Sequence, residues 1–313
     1  MRSAELRHSD APAAGAPVSI TCEDGVALGG RIWPAAGERR GLVVINAATG
    51  VRASYYHRYA RFLNDHGFEA ITYDYRGVGA SRPASLRGLR WRWSDWGRYD
   101  FEAVLRLAIS RAGQAPLLVV GHSIGGFLPG LAPSAPAISR MLTVGAQHAW
   151  WRDYAPDRRL QLFLKWHVAM PALTALFGYF PGQLLGWLED LPAGVANEWS
   201  FRRERMEKSH PKSARADILA RFKAVKAPIL ALALSDDDLA PPAAVLRGLS
   251  YYSGARRSLV TLSPADLGQE RLGHVGLFHS RCEEGAWRPS LEWLVSERQP
   301  WPTRQTTRLE PQP

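Results

Sequence analysis

Residues 115–128, Ala-Pro-Leu-Leu-Val-Val-Gly-His-Ser-Ile-Gly-Gly-Phe-Leu, constrain the fold more than any other stretch of the chain. Leu117 to Val120 is an apolar, partly β-branched run that reads as a fully buried strand. It stops at Gly121, where Gly121-His122-Ser123-Ile124-Gly125 forms a Gly-x-Ser-x-Gly pattern, and the apolar residues beyond Gly126 predict a helix. Strand, sharp turn with a serine at its apex, then helix is the context of a nucleophile elbow. Such a turn holds the serine in a strained backbone, so the residues two before and two after must be small enough for strand and helix to pass. Gly121 and Gly125 occupy those places. A helix starting just past Ser123 would also aim free N–H groups at negative charge developing there.

The pentapeptide alone also fits a glycine-rich turn that carries a serine by chance, so the rest of the chain decides. With 313 residues, 46% hydrophobic and 22% charged, the sequence can fold as one α/β domain with an insertion or as two small domains. A formal net charge of +10 favours anionic surfaces in general. The arginines are spread along the chain rather than gathered in a block, so nucleic-acid binding is not expected. Two cysteines, Cys22 and Cys282, with no Cys-x-x-Cys, suggest neither a disulfide framework nor a zinc site. Met1 to Pro17 lacks the apolar segment of a secretory signal. The most apolar stretch, Val168 to Leu185, is interrupted by Pro171, Gly178, Pro181 and Gly182, so no stable membrane insertion is expected. These features predict a reduced, soluble, cytoplasmic protein; a homo-oligomer is compatible with them.

Taken in order, residues 1–16 predict a frayed tail. Val18–Cys22 and Val26–Trp33 form a hairpin around Glu23-Asp24-Gly25. A buried strand at Leu42–Ile45 ends in the small residues Asn46-Ala47-Ala48-Thr49-Gly50. Helical spacing over Tyr55–His66 is followed by a strand at Phe68–Tyr73, and Tyr99–Ala112 predicts a helix leading into the elbow strand. Leu86–Trp96 is an Arg- and Trp-rich loop suited to cation–π packing. Ile138–Val144 is the next strand. From about His148 to Ser213 the strand rhythm disappears, and Pro171, Pro181 and Pro192 divide the segment into short helices, a helical insertion over the sheet edge. The rhythm resumes with a helix at Asp217–Val225 and a strand at Pro228–Leu234. A helix at Ala243–Leu249, a strand at Ser258–Leu262, a loop with Leu272-Gly273-His274 and a closing helix at Leu291–Arg298 follow. Residues 299–313 predict a disordered tail. The expected fold class is therefore α/β, a doubly wound, mostly parallel sheet with an N-terminal antiparallel hairpin. Residues 17–147 and 214–298 form its core and residues 148–213 a helical cap.

Ser123, an aspartate cluster after a late strand (Asp236, Asp237, Asp238) and a histidine in the last large loop run in the order serine, acid, histidine. All three lie where C-terminal strand ends would place them, the edge at which doubly wound sheets bind ligands. On Gly-His-Ser-Ile-Gly-Gly and on Tyr73-Asp74-Tyr75-Arg76-Gly77-Val78-Gly79-Ala80-Ser81, the chain resembles the α/β-hydrolase superfamily, in particular its serine-aminopeptidase-like and monoacylglycerol-lipase-like group. The likeness runs over roughly residues 18–298. Ile45–Val51, Asp95–Asp100 and Leu272–Phe278 further resemble a bacterial subgroup.

The resemblance implies a serine hydrolase acting on a carboxylic ester or thioester of a small hydrophobic substrate through an acyl-enzyme, with no cofactor and no metal. Ser123 is then the nucleophile and His274 its base, with His279 as the rival one helical turn on. Asp237, four residues before Pro241, is the acid that orients the imidazole. Asp236 and Asp238 are solvated or capping alternatives. The oxyanion hole would use the N–H of Ile124 and that of Ala47 or Ala48. Relatives often carry His-Gly at that loop, where this chain has Asn46-Ala47-Ala48; a plain alternative is a tight turn in which Asn46 bonds its own backbone. In the insertion, Leu162, Phe163, Trp166, Met170, Leu173, Leu176 and Phe177 share an apolar face. That face packs the cap onto the sheet or, through Trp166, Met170 and Phe177, lines an acyl pocket. Two alternatives remain. One is an aminopeptidase or amidase with Glu189, Asp190 and Glu198 as an acidic subsite. The other is a catalytically inactive receptor, suggested by the altered loop at Asn46. A serine at the elbow argues against the dehalogenase and epoxide-hydrolase chemistries of this fold, which use aspartate there.

Overall fold

The computed structural model describes residues 15–312. Nine strands form one sheet: β1 (Ala16–Thr21), β2 (Ala27–Trp33), β3 (Gly41–Asn46), β4 (Phe68–Tyr73), β5 (Leu117–His122), β6 (Arg140–Val144), β7 (Ile229–Leu234), β8 (Arg257–Leu262) and β9 (Thr306–Leu309). Their spatial order is β1-β2-β4-β3-β5-β6-β7-β8-β9. Strands β3 to β8 run parallel, and antiparallel pairs close both ends. Every residue of β3, β4, β5 and β7 is buried, as an apolar strand covered on both faces must be. The Asp-Gly hairpin forms as the sequence predicts: Gly25 takes a φ of +82°, and Cys22 N–H bonds Val26 O at 2.8 Å.

Among the described residues there are seven longer helices: α1 (His57–Asp65), α2 (Glu102–Ala112), α3 (Arg159–Phe177), α4 (Ala193–Ser200), α5 (Lys212–Ala224), α6 (Pro242–Ser250) and α7 (Arg288–Ser296). In α1 the buried residues Tyr59, Ala60, Phe62 and Leu63 are those whose spacing predicts the helix.

Four expectations are corrected. No long helix follows the elbow; two 3-10 turns, Ser123–Gly126 and Leu128–Leu131, stand there. Pro129 has no N–H to donate, and Gly130 packs so tightly that a Cβ would lie 2.1 Å from the Phe222 ring. Pro171 does not divide the insertion. A π turn over Leu164–Ala169 precedes it and shifts the carbonyl that the proline ring would crowd, so α3 runs on for 19 residues. By length and composition α3 suffices to cross a membrane, but its inner face packs onto the protein through Trp166, Met170 and Thr174. Residues 299–313 are not wholly irregular, because Thr306–Leu309 pairs antiparallel with β8 and covers its edge. At the other end Ala16 already belongs to β1, while residues 1–14 lie outside the described residues.

The Asp74–Ser81 loop has a structural task. Asp74 accepts the N–H groups of Ala53 (2.7 Å) and Ala80 (2.9 Å). Arg76 pairs with buried Asp100 (2.5 Å) and with Asp24 (2.5 Å), tying the hairpin turn to the residues that lead into α2.

Candidate active site

β5 delivers Ser123 to the C-terminal edge of the sheet. Its φ of +54° is one of three positive values among described non-glycine residues, so the elbow strain is present. The flanking glycines are required: a Cβ on Gly121 would lie 2.4 Å from Gly126 Cα, and one on Gly125 would lie 2.5 Å from Asn46 O.

The Asp236-Asp237-Asp238 turn after β7 divides its labour. Asp237 is buried; its Oδ2 lies 2.7 Å from His274 Nδ1, and its Oδ1 accepts the N–H groups of Leu239 (3.0 Å) and Ala240 (2.9 Å). Burial alone would raise this carboxyl's pKa. The His274 charge and hydrogen bond, with the two N–H groups, outweigh burial and leave it lowered. Asp236 Oδ2 accepts the N–H groups of Leu272 (2.8 Å) and Gly273 (2.9 Å), so it anchors the loop that carries His274. Asp238 is half-exposed beside Arg158 at 3.7 Å. Gly145, at φ +55°, leaves room for the pair; a Cβ there would sit 3.1 Å from Asp237 Oδ2. His279 instead accepts the Arg281 N–H on the surface.

Ser123 and His274 line one cavity of about 130 Å³, together with Ala48, Ile124, Trp166 and an apolar ring that includes Trp93, Trp187, Trp199 and Leu188. Clefts of about 520 and 500 Å³ lie elsewhere; charged side chains line them, and neither contains Ser123, His274 or Asp237. Of the three residues expected to bind substrate, only Trp166 reaches this cavity. Met170 is fully buried on the inner face of α3, and half-buried Phe177 packs on Tyr179. Neither side chain is in the wall of the cavity. Trp93, Trp187 and Trp199 come from separate segments and share no periodicity that sequence could reveal.

Asn46 does not bond its own backbone. Its Nδ2 donates to Gly125 O at 3.0 Å, and its Oδ1 accepts the Tyr73 hydroxyl at 2.8 Å. Ala48 N–H donates to the Tyr56 hydroxyl at 2.9 Å, while Ala47 O accepts from Tyr75 at 3.1 Å. Glu189, Asp190 and Glu198 are paired with Arg52, Arg82 and Arg202 respectively, and none lines the cavity. Cys22 and Cys282 are buried and unbridged. Among the described residues no group of His, Cys, Asp or Glu is arranged to hold a metal ion.

A mostly parallel sheet with an elbow serine after β5, an acid after β7 and a histidine in a late loop defines an α/β hydrolase. The chain belongs to the serine aminopeptidase S33 family, whose sequence pattern matches residues 37–204. It is similar to the monoglyceride lipase of Saccharomyces cerevisiae, 28% identical over 106 residues. That match covers 33% of this chain and only 34% of the lipase. Among solved structures, a soluble variant of the same yeast lipase in complex with a substrate analog superposes with a TM-score of 0.64. It has 15% identity and covers 93% of this chain and 98% of that one. An esterase from Exiguobacterium antarcticum gives 0.55 at 16% identity, over 89% of this chain and 99% of its own. At these identities the superpositions establish the fold alone.

Proposed function

We propose that the protein is a serine hydrolase that cleaves a carboxylic ester or thioester through an acyl-enzyme. The carrying observation is the 2.7 Å hydrogen bond that His274 Nδ1–H donates to Asp237 Oδ2, with His274 and the strained Ser123 in the wall of one cavity. Nδ1 engaged by the carboxylate leaves Nε2 as the base. As Ser123 Oγ attacks the carbonyl carbon, Nε2 takes the hydroxyl proton and later gives it to the departing alcohol or thiol. Water, deprotonated by the same nitrogen, then releases the carboxylic acid and restores Ser123. The oxyanion accepts the N–H of Ile124 and one from Ala47 or Ala48; Ala48 lines the cavity, and its N–H also meets the Tyr56 hydroxyl. The helices of residues 148–213, α3 and α4 among them, act as the cap.

Amide cleavage has less support, since each carboxylate available for a substrate amine already pairs with an arginine outside the cavity. The receptor alternative loses its ground as well, because Asn46 ties β3 to the elbow rather than spoiling it. The test is hydrolysis of p-nitrophenyl acetate by wild type and Ser123→Ala. The variant is expected to keep its melting temperature and lose at least about 10³-fold in kcat. Undiminished turnover by a folded Ser123→Ala protein overturns the mechanism.

A further inference from the structure

The cavity beside Ser123 is small, and its walls are flat and fixed. Trp199 lies between Trp93 and Trp166 in a near-parallel stack, with ring centroids 5.5 Å and 4.5 Å apart and planes inclined by 28° and 21°. Trp187 meets Trp166 edge-on at 5.6 Å, and the Lys165 ammonium sits 4.6 Å and 4.3 Å from these two rings.

A hydrogen-bond chain sets the plane of Trp199. Its Nε1–H donates to Tyr154 Oη (3.2 Å), and the Tyr154 hydroxyl donates to His167 Nε2 (3.1 Å). His167 Nδ1–H donates to Ser200 O (2.7 Å), which fixes the tautomer this chain needs. The opposite wall is held too. Leu188 presses on Gly50, where a Cβ would lie 2.6 Å from Leu188 Cδ1. Next to it, Glu189 N–H bonds Gly50 O at 3.0 Å and the Glu189 carboxylate pairs with Arg52 at 2.8 Å.

About 130 Å³ is close to the roughly 150 Å³ of an apolar protein cavity known to hold one benzene molecule. A ring entering here finds indole faces and edges for offset or edge-on packing. A long acyl chain exceeds a space of about 130 Å³. We infer that the site selects acyl groups of single-ring size, such as phenylacetyl or benzoyl, and excludes long fatty chains. The acyl half is the one confined, because it stays bonded to Ser123 Oγ after the alcohol has left and must fit the cavity while water attacks.

This inference rests on the serine-hydrolase proposal for the same site, and the experiment separates the two. kcat/KM is measured for p-nitrophenyl acetate, butyrate, benzoate, phenylacetate, decanoate and palmitate, alongside labelling of Ser123 by a short-chain fluorophosphonate. The expected profile favours phenylacetate over decanoate by at least about 10-fold, and Trp187→Ala or Leu188→Ala raises the decanoate-to-phenylacetate ratio by about 10-fold. A ratio is read because poor folding lowers both rates together. Labelled Ser123 with kcat/KM still climbing to palmitate overturns the size limit and leaves the hydrolase proposal standing. No labelling and no ester cleavage removes both.

Discussion

His122 holds the main chain of His274: its Nε2 lies 2.8 Å from the His274 carbonyl oxygen. A carbonyl only accepts, so Nε2 carries the proton and Nδ1 accepts the Tyr56 hydroxyl at 2.6 Å. The Tyr56 oxygen in turn accepts Ala48 N–H at 2.9 Å. Burial pushes the His122 pKa down to about 3, with the His274 charge adding to it, so the ring stays neutral and keeps this pattern. The residue before the elbow serine thus links the loop after β3 to the loop that carries His274, while Asp237 bonds the His274 ring.

Tyr56→Phe keeps the ring packing and deletes this link. We expect a loss of about 1–2 kcal/mol in stability and a fall of about 10-fold in kcat with KM within twofold. Steady-state kinetics on a short ester and thermal melts check both; an unchanged kcat assigns the network to folding alone.

The three consecutive aspartates separate on activity. Asp237→Asn loses the orienting carboxylate and is expected to drop kcat by at least about 10³-fold. Asp236→Asn, which weakens the hold on Leu272 and Gly273, costs about 10-fold, and Asp238→Asn stays near wild type. Any other order contradicts the assignment of the acid.

Acid sensitivity follows from buried imidazoles. Burial lowers His148 to about 3, as it does His122, with Arg202 adding to the effect at His148. Both pKa values lie below the unfolded value of about 6.5, so the unfolded state binds more protons between pH 6.5 and 3. Stability therefore falls as pH falls through that window, by about 2 kcal/mol per imidazole on reaching pH 5. Denaturant unfolding at pH 7 and pH 5 measures the loss, and His148→Gln is expected to shrink it by about 2 kcal/mol, that imidazole's own share.

The elbow glycines tolerate no Cβ. Gly121→Ala and Gly125→Ala force contacts of 2.4–2.5 Å against backbone rather than flexible side chains. Each is expected to destabilise by about 3 kcal/mol or more, or to abolish soluble expression, in chemical unfolding assays.

Much of this was legible before any coordinates. Strand and helix periodicity located the sheet, because β3, β4, β5 and β7 are buried on both faces and therefore read as unbroken apolar runs. The elbow was legible from the apolar run before it and the glycines around Ser123, but the helix expected after it is replaced by two 3-10 turns. Tertiary contacts hid the rest. Pro171 reads as a break until the preceding π turn is seen, and β9 has few residues and no core of its own until β8 offers an edge. His122 and Asp236 each act through a loop distant in sequence, and the tryptophan wall is gathered from four segments. Local pattern carries no signal for such meetings.

The most direct test of the central claim is the intact mass of wild-type and Ser123→Ala protein after exposure to a short-chain fluorophosphonate. A single adduct on the wild type and none on the variant is the predicted result, because only a serine activated by His274 beside an assembled oxyanion hole attacks the phosphorus. Absence of an adduct on folded wild-type protein, or an equal adduct on Ser123→Ala, would contradict it.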